Sequence, residues 1–235
     1  MRPLEGKLAL VTGASRGIGA ATAYALGEAG AHVILVARTS GGLEEVEARI
    51  HAAGGTATIA PLDLTDGESI AKLAVAISGR WQALDILVLN AATLGTLTPV
   101  PHIAPKEFAG LLTLNVTAPQ ALIAAFDGLL RASADARIIG VTSSVGRTPR
   151  AYWGAYGASK AAFENLLLSY AEEMRNIARI KVAIVDPGAT ATQMRARAFP
   201  GEDPATVKSP DVVATAILAL TQREYETGLF ERVGS

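Results

Sequence analysis

The chain alternates between two kinds of apolar segment. Six short runs are rich in β-branched and aliphatic residues: Leu8–Val11, Val33–Val36, Thr58–Ala60, Ile86–Leu89, Ile138–Val141 and Val182–Val185. Their apolar residues are consecutive, not alternate, which suits parallel strands covered on both faces. A weaker run, Leu229–Val233, fits a seventh strand. Longer Ala-rich segments lie between the runs and predict helices over about 17–30, 41–53, 67–80, 105–131, 155–177 and 209–222. Ser209-Pro210-Asp211 places a candidate cap before a proline at the first helical position. Gly30 and Gly54 suit helix ends.

Strand–helix alternation with right-handed crossovers predicts an α/β fold: a doubly wound parallel sheet of six to seven strands between two helical layers. The length of 235 residues suits one domain over 1–235. No repeat, low-complexity tract or interdomain linker interrupts it. Ligands of such sheets bind beyond the carboxyl ends of the strands, so chemistry is expected there.

Composition narrows the function. Half of the residues are hydrophobic and 18% are charged, as in a packed globular protein. The formal net charge of −1 gives no basic footprint for nucleic acid. There is no cysteine, which excludes disulfides, thiolate metal sites and cysteine nucleophiles and fits a reducing compartment. His32, His51 and His102 lie far apart without metal-ligand spacing, so no metal site is expected. The start, MRPLEGKLALVTG, does not read as a signal peptide. Ala109–Phe126 runs eighteen residues without a charge, yet Asn115, Pro119 and Gln120 within it favour a buried or subunit-facing helix over a membrane span.

The first strand runs into Thr12-Gly13-Ala14-Ser15-Arg16-Gly17-Ile18-Gly19, and a helix follows. Glycines permit a tight turn and close approach of the backbone to a pyrophosphate, and a helix N-terminus offers free N–H groups to it. A plain strand-to-helix turn would look similar. Later, Tyr156-Gly157-Ala158-Ser159-Lys160 puts Tyr and Lys four apart on one helix face. Alone, that spacing is common on helix surfaces. Here Ser143 precedes it by thirteen residues, and Asn115 lies earlier still in Leu114-Asn115-Val116.

The T-G-x-x-x-G-x-G turn and the ordered Asn115, Ser143, Tyr156, Lys160 set resemble the short-chain dehydrogenase/reductase family. Asp63-Leu64 after the third strand, Asn90-Ala91-Ala92 after the fourth and Asp186-Pro187-Gly188-Ala189-Thr190-Ala191-Thr192 after the sixth extend the resemblance. Ser143 is preferred over Ser144 because it stands three residues before Gly146. The resemblance implies a Rossmann-type sheet and an oxidoreductase that moves a hydride between a nicotinamide cofactor and a carbonyl or alcohol. It implies that Tyr156 exchanges a proton with the substrate oxygen and that Ser143 hydrogen-bonds that oxygen. Lys160 would lower the Tyr156 pKa and hold the nicotinamide ribose. Asn115 would support a water between Lys160 and solvent. The cofactor site would comprise Gly13, Ser15, Arg16, Gly17, Ile18, Gly19, Arg38, Asp63, Leu64, Asn90, Ala91, Tyr156, Lys160, Pro187, Gly188, Thr190 and Thr192.

An acidic residue about 20 positions past the glycine turn would hold a ribose 2′-hydroxyl. The segment Ile34–Thr39 has none and offers Arg38, which would attract a 2′-phosphate. Arg16 could form a second wall of that pocket. The expected cofactor is therefore NADP(H), unless Arg38 is only a solvated loop charge. The stretch at about 193–208 corresponds to the family's substrate lid, where Pro200-Gly201 and Pro204 suit a loop. Arg147, Arg150, Arg195 and Arg197 flank the expected mouth and either recognise an anionic substrate or are scattered solvated charges. A 3-oxoacyl thioester is the default substrate. The alternative is an NADP(H)-sensing module without turnover, which the retained Tyr–Lys pair disfavours. The resemblance further implies a cytoplasmic homodimer or homotetramer, paired through helices at about 105–131 and 155–177, with no nucleic-acid or membrane partner.

Overall fold

A computed structural model describes residues 2–234. Seven parallel strands form one sheet: β1 (Leu8–Thr12), β2 (His32–Ala37), β3 (Thr56–Pro61), β4 (Ile86–Leu89), β5 (Ala136–Val141), β6 (Ile180–Asp186) and β7 (Leu229–Arg232). Their order is β3-β2-β1-β4-β5-β6-β7. The seventh strand pairs with β6 from Ala183↔Leu229 to Asp186↔Arg232. The order reverses direction between β1 and β4, and that crevice is where such sheets bind ligands.

The consecutive apolar runs are explained by two cores, one on each side of the sheet. Leu8 and Leu10, Ile34 and Val36, Leu87 and Leu89, and Val182 and Ile184 point to one side. Ala9 and Val11, Val33 and Leu35, Ile86 and Val88, and Ala183 and Val185 point to the other. The second side is covered by α1 (Gly17–Glu28), α2 (Ser40–Ala52) and, after the remaining elements, α8 (Pro210–Gln222). The first is covered by α3 (Gly67–Ser78), by α4 (Pro105–Leu112) with α5 (Ala118–Ala132), and by α6 (Gly154–Met174). A short α7 (Gln193–Ala198) belongs to neither layer. β3 is an edge strand, only partly buried, and ends on Pro61, where no ladder donor is needed.

Four details differ from the sequence reading. β3 is twice as long as Thr58–Ala60, because its outer residues are polar or half-exposed and leave no apolar run. The helix expected at 105–131 is interrupted by a wide π turn at Thr113–Thr117, which carries Asn115. α6 stops at Met174. The expected loop after Thr192 begins as α7, because the Thr192 side chain accepts from the Arg195 N–H and caps it.

Pro105–Ala132 is long and apolar enough to cross a membrane by length and composition. In this fold its Ala118, Leu122, Phe126 and Leu130 pack on the sheet.

The seat of α6 depends on Gly140 in β5. A Cβ there would lie 2.2 Å from Leu167 Cδ1 and 2.9 Å from Phe163 Cζ, both on α6. Gly140→Ala is expected to push α6 off the sheet and destabilise the fold by about 1–3 kcal/mol. Urea unfolding at fixed pH measures this. An unchanged midpoint would mean that α6 has room to spare.

Candidate active site

The glycine turn is locked to the crossover between β1 and β4. Thr12 Oγ1 donates to Val88 O at 3.1 Å and accepts from Asn90 N at 2.9 Å and Ala91 N at 3.1 Å. Asn90 Nδ2 returns a bond to Thr12 O at 2.9 Å. Asn90 therefore braces the turn with its side chain. Gly13 and Gly17 have φ of +67° and +56°. A Cβ on Gly19 would lie 2.2 Å from Gly13 O and 2.5 Å from Asn90 Nδ2, so the turn closes only with glycine there. α1 begins immediately after Arg16, with no side-chain cap and no acidic residue in its first turn. Its free N–H groups face the turn and suit an anion. These features fit a dinucleotide pyrophosphate.

Around this cradle, Arg38 is exposed just beyond β2. Asp63 is exposed just beyond β3, and its carboxyl is held below the usual range mainly by the Thr65 N–H and hydroxyl, with Arg38 adding to the effect. Leu64 is buried. Arg16 does not turn toward Arg38: its Nη1 donates to Gln193 Oε1 at 2.8 Å, at the start of α7. Ala92 needs no left-handed backbone, since the one non-glycine residue with positive φ among those described is Tyr152.

Across the crevice, Tyr156 and Lys160 lie on the first turns of α6, both buried. Lys160 Nζ is 5.7 Å from the Tyr156 ring centroid and donates to Val141 O at 2.8 Å. The Tyr156 hydroxyl donates to Met194 Sδ of α7 at 3.8 Å. Burial pushes the Tyr156 phenol well above its ordinary pKa, and the Asp186 carboxylate adds to the rise. Burial pulls the Lys160 ammonium down to about 8 against the opposing pull of Glu164. In this arrangement burial dominates the Tyr156 pKa, and the Lys160 ammonium points at a backbone carbonyl. Ser143 is the half-buried, extended residue preceding the 3-10 turn Ser144–Gly146. That turn presses on α6, since a Cβ on Gly157 would lie 2.8 Å from Val145 O.

Asn115 is 1% exposed and does not reach Lys160. Its Oδ1 accepts from Thr93 N at 2.8 Å, and its Nδ2 donates to Thr93 O at 2.9 Å and Ser159 Oγ at 3.0 Å. Asn115 thereby ties the segment after β4 to α6. Beyond β6, Gly188 takes φ +60°, with its N–H on Asp186 Oδ1 at 3.0 Å. Thr190 Oγ1 donates to Pro187 O at 3.1 Å, and Ala191 N donates to Lys208 O at 2.8 Å, closing the base of the 193–208 segment.

Two of the four arginines are paired within the chain. Arg147 Nε donates to Glu164 Oε2 at 2.6 Å and covers the Phe230 ring. Arg195 is clamped by both carboxylate oxygens of Glu202 and lies over the Phe199 ring. Among the described residues no ion pair holds Arg150 or Arg197, and both are exposed. Tyr156 also packs in a small apolar cluster with Leu94, Leu97, Val145, Trp153, Met194 and Ala198. Sequence reasoning passed over Thr12, Ser159, Met194 and Glu164. Glu164 had a faint signal, since it stands four residues after Lys160.

A cofactor cradle at the switch point, facing a buried Tyr–Lys pair, defines a dinucleotide-dependent oxidoreductase. The chain belongs to the short chain dehydrogenase family, whose model matches residues 7–203. It is 37% identical over 210 residues to the uncharacterized oxidoreductase YciK of Escherichia coli K12, covering 88% of this chain and 82% of that one. A short chain dehydrogenase from Pseudomonas syringae superposes with a TM-score of 0.95 at 36% identity, covering 99% and 96% of the two chains. One from Shigella flexneri, crystallised with NADP, superposes with a TM-score of 0.94 at 35% identity, covering 99% and 98%.

Protonation of Lys160 links the site to stability. Its folded pKa lies below the unfolded value of about 10.4, so near pH 9 the unfolded chain binds more protons at this residue. Stability contributed by Lys160 therefore rises with pH from about 8 toward 10. Paired urea titrations of the wild type and Lys160→Met from pH 7 to 10 are expected to show the difference moving in favour of the wild type. A pH-independent difference would contradict the assignment.

Proposed function

We propose that the protein is an NADP(H)-dependent oxidoreductase that interconverts a carbonyl and a secondary alcohol, with Tyr156 as general acid and base. The observation that carries this reading is the burial of Tyr156 and Lys160 on one face of α6, opposite a glycine turn shaped for a pyrophosphate. A nicotinamide cofactor, when bound, supplies or accepts the hydride. Gly13, Ser15, Gly17, Ile18 and Gly19 would hold its pyrophosphate against α1, and Arg38 its 2′-phosphate. Asp63 and Leu64 would border the adenine. Asn90, Ala91, Pro187, Gly188, Thr190 and Thr192 would frame the nicotinamide side. The Shigella flexneri relative's complex with NADP supports the choice of phosphate.

In carbonyl reduction the Tyr156 hydroxyl gives its proton to the substrate oxygen, and Ser143 donates a hydrogen bond to the same atom. In alcohol oxidation Tyr156 takes the proton back. Lys160 stays largely charged near neutrality and can replace the proton. Residues at about 193–208 act as the lid, with Met194 above Tyr156. 3-Oxoacyl thioesters are the first ketones to assay.

Tyr156→Phe should bind NADPH with unchanged affinity, measured by fluorescence titration, and lose at least about 100-fold in kcat. Full turnover in that variant would sink the mechanism. Arg38→Asp should weaken NADPH binding by at least about tenfold while sparing NADH. Equal losses for the two cofactors would remove Arg38 from the phosphate site.

A further inference from the structure

The carboxylate of Glu164 lies inside the protein, one helical turn beyond Lys160, with its side chain 7% exposed. Neighbouring inward positions on α6 carry Phe163 and Leu167, so an apolar residue could have filled this place. A buried carboxylate is costly unless donors meet it. Here each oxygen has one. Thr142 Oγ1 donates to Oε1 at 2.5 Å, and Arg147 Nε donates to Oε2 at 2.6 Å.

Those donors stand on either side of Ser143. Three consecutive residues leave β5 toward the site, and two of them are gripped by α6. Val141 accepts from Lys160 through its carbonyl. Thr142 bonds Glu164 through its hydroxyl, while its own N–H continues the sheet to Val185 O at 2.8 Å. Ser143 comes next. After the 3-10 turn, Arg147 returns to the same carboxylate. The turn is tight against the helix: a Cβ on Gly146 would lie 3.1 Å from Glu164 Oε1 and 3.1 Å from Ala161 N.

We propose that Glu164 is a positioning residue, which clamps both ends of the 142–147 turn to α6 and so holds Ser143 in register with Tyr156. The register matters only if Ser143 and Tyr156 share a substrate oxygen, so the catalytic part of this inference rests on the proposed function. It also reassigns Arg147, whose charge serves the clamp.

Glu164→Ala removes both ends of the clamp, Thr142→Val removes the Thr142 end, and Glu164→Gln keeps one oxygen for the Thr142 hydroxyl but sets an N–H2 donor against Arg147. Hydrogen exchange reads the clamp without turnover. Both breaking variants should speed exchange of the Gly146, Arg147 and Thr148 amides by about tenfold, with the rest of α6 unchanged. In carbonyl reduction both should lower kcat about 10- to 100-fold at unchanged NADPH affinity, the scale of a small misplacement of a reacting group. The double variant should be no worse than Glu164→Ala alone, and Glu164→Gln, which keeps the Thr142 end, should recover only part of the loss. Unchanged exchange in the turn, a uniform rise across the protein, or additive losses of kcat would overturn the proposal. Thr142→Val alone carries the test if Glu164→Ala does not fold. If the turn loosens while kcat stays at the wild-type value, the clamp stands and Ser143 loses its catalytic part. If the wild type reduces no carbonyl compound, the proposed function fails while the exchange result still decides the clamp.

Discussion

Helix α6 reaches the end of β5 because residue 140 has no side chain. Leu167 and Phe163 occupy the space a Cβ would need. From that contact α6 packs along the end of β5 and the turn beyond it: Lys160 meets Val141, Glu164 meets Thr142, and Gly157 lies against Val145. Each rung uses a different chemistry: ammonium to backbone carbonyl, hydroxyl to carboxylate, and a turn pressed on the helix backbone. Because protein interiors do not deform continuously, a shift of α6 would move every rung together.

The same closeness sets the electrostatics. Packing that fixes geometry also removes water, and removal of water disfavours both phenolate and ammonium. Tyr156 is thereby held as a phenol and Lys160 is brought within reach of deprotonation, with Asp186 and Glu164 as the charges that respond to them. The candidate acid–base pair is thus buried, with Tyr156 protonated and Lys160 largely charged near neutrality. Glu164 and Glu202 pair with Arg147 and Arg195 within the chain.

The opposite wall is rigid for a different reason. Thr12 and Asn90 stitch β1 to β4 where the strand order reverses, and the glycine turn can close only over a bare Cα at Gly19. The 193–208 segment then spans both walls. It touches the glycine turn through Gln193 and Arg16, and it touches Tyr156 through Met194. One short helix is thus positioned by both the cofactor cradle and the candidate acid–base residue.

Much of this was legible in the sequence. Consecutive apolar runs meant strands buried on both faces, and the glycine spacing, Tyr156, Lys160 and Ser143 marked the family, because each depends on local rules of backbone freedom or helix spacing. What the sequence could not decide was the partner of each polar side chain. Asn115 was read as supporting a water beside Lys160, and the fold adds Thr93 and Ser159 as its side-chain partners. Arg16 was read as a phosphate ligand and bonds Gln193, 177 residues away. Arg147 was read at a substrate mouth and bonds Glu164. Local periodicity fixes which residues share a face, but hydrogen-bond partners and desolvation depend on what the fold brings against that face, and those distances exist only once the chain has closed on itself.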